Sequence, residues 1–159
     1  MKRLSILTLT MIALAGFMAI TVWAANPHFL RCSANGPDKS GDLTDCFKIV
    51  GLGSTPVEVT LSADVTVVYG CLNHGDQCPN AANKMQTSSH ETASGEFTPH
   101  NGQVSGCLTI SPPPATLTCP GTQKVVLVSV DYTNVQVSAV GDTCSSSGSF
   151  SETVFPNCP

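Results

Sequence analysis

Residues 57–71 read VEVTLSADVTVVYGC and carry the clearest secondary-structure signal in the chain. Apolar side chains recur at every second position from Val57 through Val65 to Cys71, with mostly polar residues between them. Because successive side chains of a strand point to opposite faces, this alternation predicts a β-strand with one buried and one solvated face. Such a length exceeds that of most strands, so we expect a bend or bulge between Ser62 and Asp64.

A second long strand is predicted at residues 124–140, KVVLVSVDYTNVQVSAV. Val126, Val128, Val130 and Tyr132 share one parity, whereas Val135 and Val137 share the other. The phase changes at Thr133-Asn134, which predicts a β-bulge or a strand break that re-aims the following side chains.

The rest of the chain also favours strands, because no segment has a sustained apolar period of 3.6 residues. Asn101-Gly102 predicts a tight hairpin turn between two strands within residues 95–110. Shorter strands are expected at residues 29–33, 43–50 and 149–155, and a mobile loop at residues 141–149. We therefore predict an all-β fold, an antiparallel immunoglobulin-like β-sandwich of about seven or eight strands.

The first 24 residues predict a secretory signal peptide. Lys2 and Arg3 precede a long apolar run, and Val22-Trp23-Ala24 supplies a small-residue cleavage site. The alternative is an uncleaved membrane anchor, because the apolar run approaches spanning length. Cleavage after Ala24 would leave residues 25–159 as a single secreted β-sandwich domain, extracellular or periplasmic, with no membrane insertion.

The eight cysteines lie beyond the predicted cleavage site. An even number of cysteines in an exported chain of this size predicts four disulfides. No two of them have the close Cys-x-x-Cys spacing that structural zinc sites favour. We therefore expect these residues to form disulfides rather than to bind metal: Cys32, Cys46, Cys71, Cys78, Cys107, Cys119, Cys144 and Cys158.

The charge of residues 25–159 argues against two classes of partner. Eleven acidic residues outnumber the basic ones, which are scattered at Arg31, Lys39, Lys48, Lys84 and Lys124. Nucleic acids and anionic lipids both require clustered basic side chains, so neither is expected as a partner.

Several short motifs, taken in order, are shared with a known group. The chain resembles a group of small secreted, mostly bacterial, uncharacterised proteins in these segments: Gly51-Leu52-Gly53, Cys71-Leu72-Asn73-His74-Gly75, Pro79-Asn80-Ala81-Ala82-Asn83-Lys84, Cys119-Pro120-Gly121-Thr122-Gln123 and Tyr132-Thr133-Asn134-Val135. The resemblance implies a β-sandwich and supplies no catalytic residues. It also implies a Cys71–Cys119 disulfide, because those two cysteines recur in the group. This chain differs from the group by six further cysteines and by Asp76, where a second glycine is usual.

The other three pairings are predicted from local context. Cys32 and Cys46 flank a Gly- and Pro-containing loop between two expected strands, and Cys144 and Cys158 flank the last strand. These positions predict Cys32–Cys46 and Cys144–Cys158. Cys78 and Cys107 then remain as the last pair.

The polar run CLNHGDQCPNAANK, residues 71–84, poses the main functional question. A metal site would have to combine local candidates with residues that only the fold could bring near, and the candidates are His74, Asp76, His90, Glu91 and His100. We instead expect a loop held by disulfides, with Asn73, Asn80 and Asn83 forming turns. No metal, cofactor or catalytic residue is predicted.

Known catalytic patterns are also missing from the sequence. It contains no Gly-x-Ser-x-Gly and no His-Glu-x-x-His, and Glu58 and Asp64 fit the solvated face of a strand better than a glycosidase pair. Phe47, Tyr69 and Tyr132 lie on strand patterns and are expected in the core, which leaves few rings to stack on sugars. We predict a non-catalytic binding or structural surface protein with an unknown protein or glycan partner. The alternative is a small extracellular enzyme or an enzyme inhibitor with a site assembled from loops.

The cysteine count makes one direct prediction, that the mature protein contains no free thiol. Alkylation under denaturing, non-reducing conditions should leave its intact mass unchanged. Two or more added alkyl groups would contradict complete pairing.

Overall fold

Every regular element in the described part of the computed structural model is a β-strand. The structure describes residues 26–75, 78, 83–156 and 158, so the predicted signal peptide lies outside the described residues. Within those residues no helix is long and apolar enough to cross a membrane. The strands are β1 (His28–Asn35), β2 (Leu43–Val50), β3 (Val57–Leu72), β4 (Lys84–Phe97), β5 (Gln103–Ile110), β6 (Lys124–Ala139), β7 (Asp142–Ser145) and β8 (Phe150–Thr153).

The strands form two antiparallel sheets. One has the order β1-β2-β5, and the other the order β4-β3-β6-β7, with β8 also paired to β6. The prediction of an all-β antiparallel sandwich is confirmed. In immunoglobulin constant domains the fourth strand joins the sheet of the first two, whereas here β4 pairs with β3.

Alternate side chains of the two sheets face each other and form the main core. Leu43 and Ile49 of β2 pack in one cluster with Leu61 of β3 and Val137 of β6, and none of these four is accessible to solvent. Burying each such side chain contributes roughly 1.5–3 kcal/mol to the free energy of folding. The apolar residues on the inward faces of the strands are therefore the main source of stability. Tyr132 is also fully buried, and its hydroxyl donates to the Gly41 carbonyl oxygen at 2.7 Å.

The predicted irregularities of β3 and β6 coincide at one bulge. The pairing of β3 with β6 shifts between Ser62 and Asp64, where Asn134 and Val135 together oppose Ala63. Asn134 has a φ of 53°, which is the left-handed conformation that asparagine tolerates better than most residues. Both sequence predictions for this region are confirmed, and the extra residue is what returns Val135 to the core.

A second irregularity was not expected from the sequence. The register between β3 and β6 shifts again between Val68 and Tyr69, because Val128 is an additional residue in β6. As a result Leu127, not Val128, lies opposite Tyr69, and Val126 lies opposite Gly70. The parity predicted for Val126 is therefore wrong, since an uninterrupted alternation was assumed.

In two regions the structure differs from the sequence predictions. Strand β4 pairs with β3 over its whole length, although its Ser- and Thr-rich residues lack a strong apolar alternation. Strand β7 occupies part of residues 141–149, which were expected to form a mobile loop. Asn101 and Gly102 do form a tight turn with positive φ angles, but it connects strands of different sheets.

The segment between β5 and β6 covers a second, smaller set of buried side chains. Tyr69 donates its hydroxyl hydrogen bond to the Pro113 carbonyl oxygen at 2.6 Å, and a disulfide joins Cys71 to Cys119 near the end of the segment. Tyr69 and Cys71 are both buried outside the main cluster, and both are bonded to this segment. The segment therefore closes the end of the five-stranded sheet that the three-stranded sheet does not cover.

Four disulfides connect the eight cysteines, which fits an oxidising compartment. The structure contains the Cys71–Cys119 bond that the resemblance implies, and the three remaining predicted pairings are wrong. The observed bonds are Cys32–Cys144, Cys46–Cys107, Cys71–Cys119 and Cys78–Cys158.

Strand geometry explains the failure of the predicted Cys32–Cys46 pair. Cys32 packs against the core, whereas Cys46 is exposed on the other face of the same sheet, so their side chains point in opposite directions. Cys46 instead bonds Cys107, its direct partner on β5. That bond rules out Cys78–Cys107, and Cys144 is taken by Cys32, which rules out Cys144–Cys158.

The edges of the two sheets are joined on one side by polar contacts as well as by the Cys32–Cys144 bond. Asp45 has the inward parity of β2 and is completely buried. Its carboxylate accepts hydrogen bonds from the Ser33 backbone N–H at 3.0 Å and from the Ser146 hydroxyl at 2.6 Å. Asp142 of β7 accepts one from the Phe29 N–H of β1 at 2.9 Å.

We expect Asp45→Ala to lower the free energy of unfolding by about 3 kcal/mol, because it leaves two partly buried donors, the Ser33 N–H and the Ser146 hydroxyl, without their acceptor. Urea unfolding measures this as a lower midpoint at an unchanged slope. Thr44→Ala is the control. It removes an exposed hydrogen bond to Thr109 on the opposite face and should cost less than about 1 kcal/mol. Equal losses for the two variants would contradict a structural role for the Asp45 carboxylate.

Candidate binding site

The outer face of the five-stranded sheet is a broad polar surface. Hydroxyl side chains of adjacent strands bond each other across it, Thr60 with Ser94 at 2.8 Å and Thr66 with Ser88 at 2.9 Å. These pairs follow from the in-register alignment of β3 with β4, which places alternate polar residues of both strands on one face.

Three side chains form a hydrogen-bonded cluster in the middle of this face. His90 Nδ1 lies 2.8 Å from Asp64 Oδ1, and the Asn134 side-chain amide donates to Asp64 Oδ2 at 2.7 Å. An ionised carboxylate only accepts hydrogen bonds, so Nδ1 carries the proton and Nε2 remains for another partner. Both oxygens of Asp64 are therefore held in fixed positions.

The backbone explains why these three residues meet. Asp64 and His90 are directly opposed in the β3–β4 register, and Thr133 opposes Asp64 on the other side. Asn134 is the first residue of the bulge, and its left-handed conformation turns its amide toward the carboxylate. In an unbulged strand the residue after Thr133 would point inward.

A groove runs from this cluster toward the loop between β7 and β8. We call it the polar groove, and its lining residues are Asp64, His90, Asn134, Val135, Gln136, Ser145, Ser146, Ser147 and Gly148. Val135 is largely buried, so the exposed lining is dominated by carboxylate, amide, imidazole and hydroxyl groups. The buried Asp45 carboxylate holds the Ser146 hydroxyl and thereby fixes this loop against the core.

The cluster favours an ionised Asp64. The hydrogen bond from Asn134, followed by that from His90, holds the pKa of the Asp64 carboxyl below its ordinary value. A lowered folded-state pKa means that the cluster stabilises the fold above the unfolded-state pKa, and that this contribution is lost as pH falls through the folded-state pKa. The groove therefore presents a carboxylate at neutral pH.

The polar run at residues 71–84 lies elsewhere. The Asn73 side chain accepts a hydrogen bond from the Gly75 N–H at 2.9 Å, which is the local turn expected for this residue. His74 and Gly75 line a shallow depression with the segment Pro120–Gln123. Asp76, Asn80 and most of the run up to residue 82 lie outside the described residues.

The histidines and Glu91 considered as metal ligands are separated in the fold. His74 lies in the depression beside residues 120–123, His90 lies on the outer face, and His100 lies in the turn between the sheets. Glu91 has the parity opposite to His90 and accepts a hydrogen bond from Ser89. Across the described residues, no three His, Cys, Asp or Glu side chains converge as a possible metal site.

The positions of the carboxylates and of the aromatic rings test two further possibilities, a glycosidase carboxylate pair and a sugar site built on exposed rings. Glu58 and Asp64 lie six positions apart on one strand, about 20 Å at the usual rise, which is too far for a glycosidase pair. Phe47, Tyr69 and Tyr132 are buried, as expected. In the described part of the chain the exposed large apolar side chains are Leu30, Val125 and Val140, none of them aromatic.

A scan of protein-family models, a search of curated proteins and a search of solved structures each return no significant match to this chain. The site is therefore interpreted from its own geometry.

The sequence alone does not reveal that Asp64, His90 and Asn134 meet. One signal was present, since the phase change at Thr133-Asn134 marks a bulge and bulges often re-aim side chains at functional sites. The buried Asp45 was also missed, although it shares the parity of Leu43 and Phe47. Strand β4 had to be identified before His90 could be placed opposite Asp64.

We expect Asn134→Ala to raise the pKa of Asp64 toward its ordinary value, because it removes the hydrogen bond that contributes most to lowering that pKa. An NMR pH titration of the Asp64 side-chain carboxyl carbon measures the change. Gln136→Ala is the matched control, since Gln136 lines the same groove without bonding Asp64. Identical titration curves for wild type and Asn134→Ala would contradict the cluster.

Proposed function

We propose that the protein is a secreted, non-catalytic binding protein whose ligand surface is the polar groove. The observation that carries this proposal is the Asp64–His90–Asn134 cluster, in which two side chains orient both oxygens of an exposed carboxylate. A β-bulge maintains that arrangement by holding Asn134 in the left-handed conformation, and bulges are over-represented next to active sites, where they re-aim side chains.

The chemical groups that line the groove favour a polyhydroxylated ligand, and we propose that this ligand is a glycan. Carboxylate and amide groups bind sugar hydroxyls directionally, and Asp64, Gln136 and the serines at 145–147 supply both donors and acceptors. An apolar protein partner would need an exposed apolar patch, which this groove does not offer. The hydroxyl rows beside the groove extend the same chemistry along the sheet.

The absence of an aromatic ring from the groove lining limits the affinity. Sugar sites that stack a ring gain apolar burial that this groove does not provide. We therefore expect a dissociation constant of about 1 mM for a short oligosaccharide, or roughly −4 kcal/mol. Tighter binding would require several sites acting together on a longer glycan.

A small extracellular hydrolase is the second candidate, and one observation favours it. An aspartate bonded to histidine Nδ1 is the arrangement that orients a catalytic base, and three serines line the same groove. However, the side chains of His90 and Asp64 are 57% and 48% exposed, whereas catalytic electrostatics depend on exclusion of water. Among the described residues, no serine bonds His90.

Secretion is part of the proposal and is supported by two features. The four disulfides fit an oxidising compartment, and the first 24 residues have the pattern of a signal peptide. The resemblance to small secreted, mostly bacterial proteins points the same way.

Glycan-array screening of the mature protein, displayed multivalently, should find a glycan class that binds through the groove. With that glycan, NMR titration should shift amide signals of the groove residues at millimolar concentration. Asp64→Asn and Asn134→Ala should each weaken binding at least tenfold, because each disrupts the oriented carboxylate.

Thr44→Ala is the control, because it removes a comparable hydroxyl pair from the opposite sheet and should leave binding unchanged. Glycan shifts confined to another face, or binding unaffected by both groove variants, would refute the assignment. Substrate turnover that is abolished by His90→Ala would establish the hydrolase instead.

A further inference from the structure

The Cys46–Cys107 disulfide differs from the other three in its exposure. It joins directly opposed residues of β2 and β5 on the outer face of the three-stranded sheet, and both cysteines are exposed. Cys71 and Cys158 are only 1% and 2% exposed, so the two bonds they form have one sulfur each in the interior. The Cys32–Cys144 bond has both cysteines partly buried.

The charge around this disulfide is positive. Lys48 follows Cys46 by two positions on the same face of β2, and Arg31 of β1 lies opposite Lys48. The three strands of this sheet contain one acidic residue, Asp45, and its side chain is buried on the inner face. An anion approaching the disulfide along this face therefore meets two cationic side chains and no carboxylate of these strands.

We propose that Cys46–Cys107 is a thiol–disulfide exchange site for low-molecular-weight anionic thiols. A thiolate attacks the sulfur of Cys46 or Cys107, its new S–S bond forms as the Cys46–Cys107 bond breaks, and the other cysteine leaves as a thiolate. The product is a mixed disulfide between the protein and the small thiol. A second thiol molecule can then attack the mixed disulfide, which releases the protein dithiol and a small-molecule disulfide. The two electrons that reduce Cys46–Cys107 thus come from the oxidation of two small thiols to one disulfide.

The fold remains intact through this exchange. Strand β2 stays paired with β1 and β5 along their full registers, and the other three disulfides do not involve this face. Leu43, Phe47 and Ile49 keep the inner face of β2 in the core. Exchange at Cys46–Cys107 is thus a reversible modification of the folded protein.

The test is a time course of the native protein with reduced glutathione, quenched by acid and mapped by peptide mass spectrometry. Cys46 and Cys107 should carry glutathione or become free thiols at least tenfold faster than the other six cysteines. Faster or equal reaction at Cys32–Cys144, the next most accessible bond, would overturn the proposal.

The role of charge is tested with the double variant Arg31→Gln, Lys48→Gln. At low ionic strength it should slow exchange with anionic glutathione by about fivefold, since two unit charges at roughly 8 Å are lost. Exchange with cationic cysteamine should become faster, and both effects should shrink at 1 M salt. An equal change for the two thiols would refute electrostatic selection of the anionic class.

Discussion

The candidate site depends on one extra residue in β6, Asn134, which forms a bulge and bonds Asp64. A strand alternates strictly, so an added residue moves every later side chain to the other face. The chain compensates in its sequence, because the valines after Asn134 have the opposite parity and so remain in the core. The bulge thus leaves the core unchanged and places one additional polar side chain on the outer face, beside Asp64.

The rest of the site is arranged around this position. Strand β3 holds Asp64 between β4 and β6, and the unshifted β3–β4 register brings His90 opposite it. On the far side of the groove, the loop after β7 is fixed by the Ser146–Asp45 hydrogen bond and the neighbouring Cys32–Cys144 disulfide. An ordered polar groove is therefore built from backbone register, one bulge and one buried carboxylate.

Local alternation predicted some of these features and not others. Strands β2 and β3 and the bulge could be inferred, because burial of one face imposes a period of two on the residues. Strand β4 could not, since its partly covered inner face carries Ser89 and Glu91 instead of large apolar residues. Disulfide pairing depends on which face each cysteine occupies and on strand order, as Cys32 and Cys46 illustrate, and neither property is local in sequence.

The two outer faces of the sandwich have different chemistry. The face of the five-stranded sheet combines hydroxyl pairs with the oriented carboxylate of Asp64, whereas the face of the three-stranded sheet carries Arg31, Lys48 and an exposed disulfide. The shared core separates them, so a ligand on one face and a thiol on the other would not compete for the same surface.

The central claim is that the bulge at Asn134 serves the site and is not needed by the fold. Deletion of Asn134 tests it directly, because the shortened strand would alternate regularly through Tyr132, Val135 and Val137. An NMR titration of this deletion variant with the glycan that binds the wild type is the decisive measurement. If the claim holds, we expect a well-dispersed spectrum of a folded protein with no shifts on glycan addition. A collapsed spectrum, or shifts equal to those of the wild type, would contradict it.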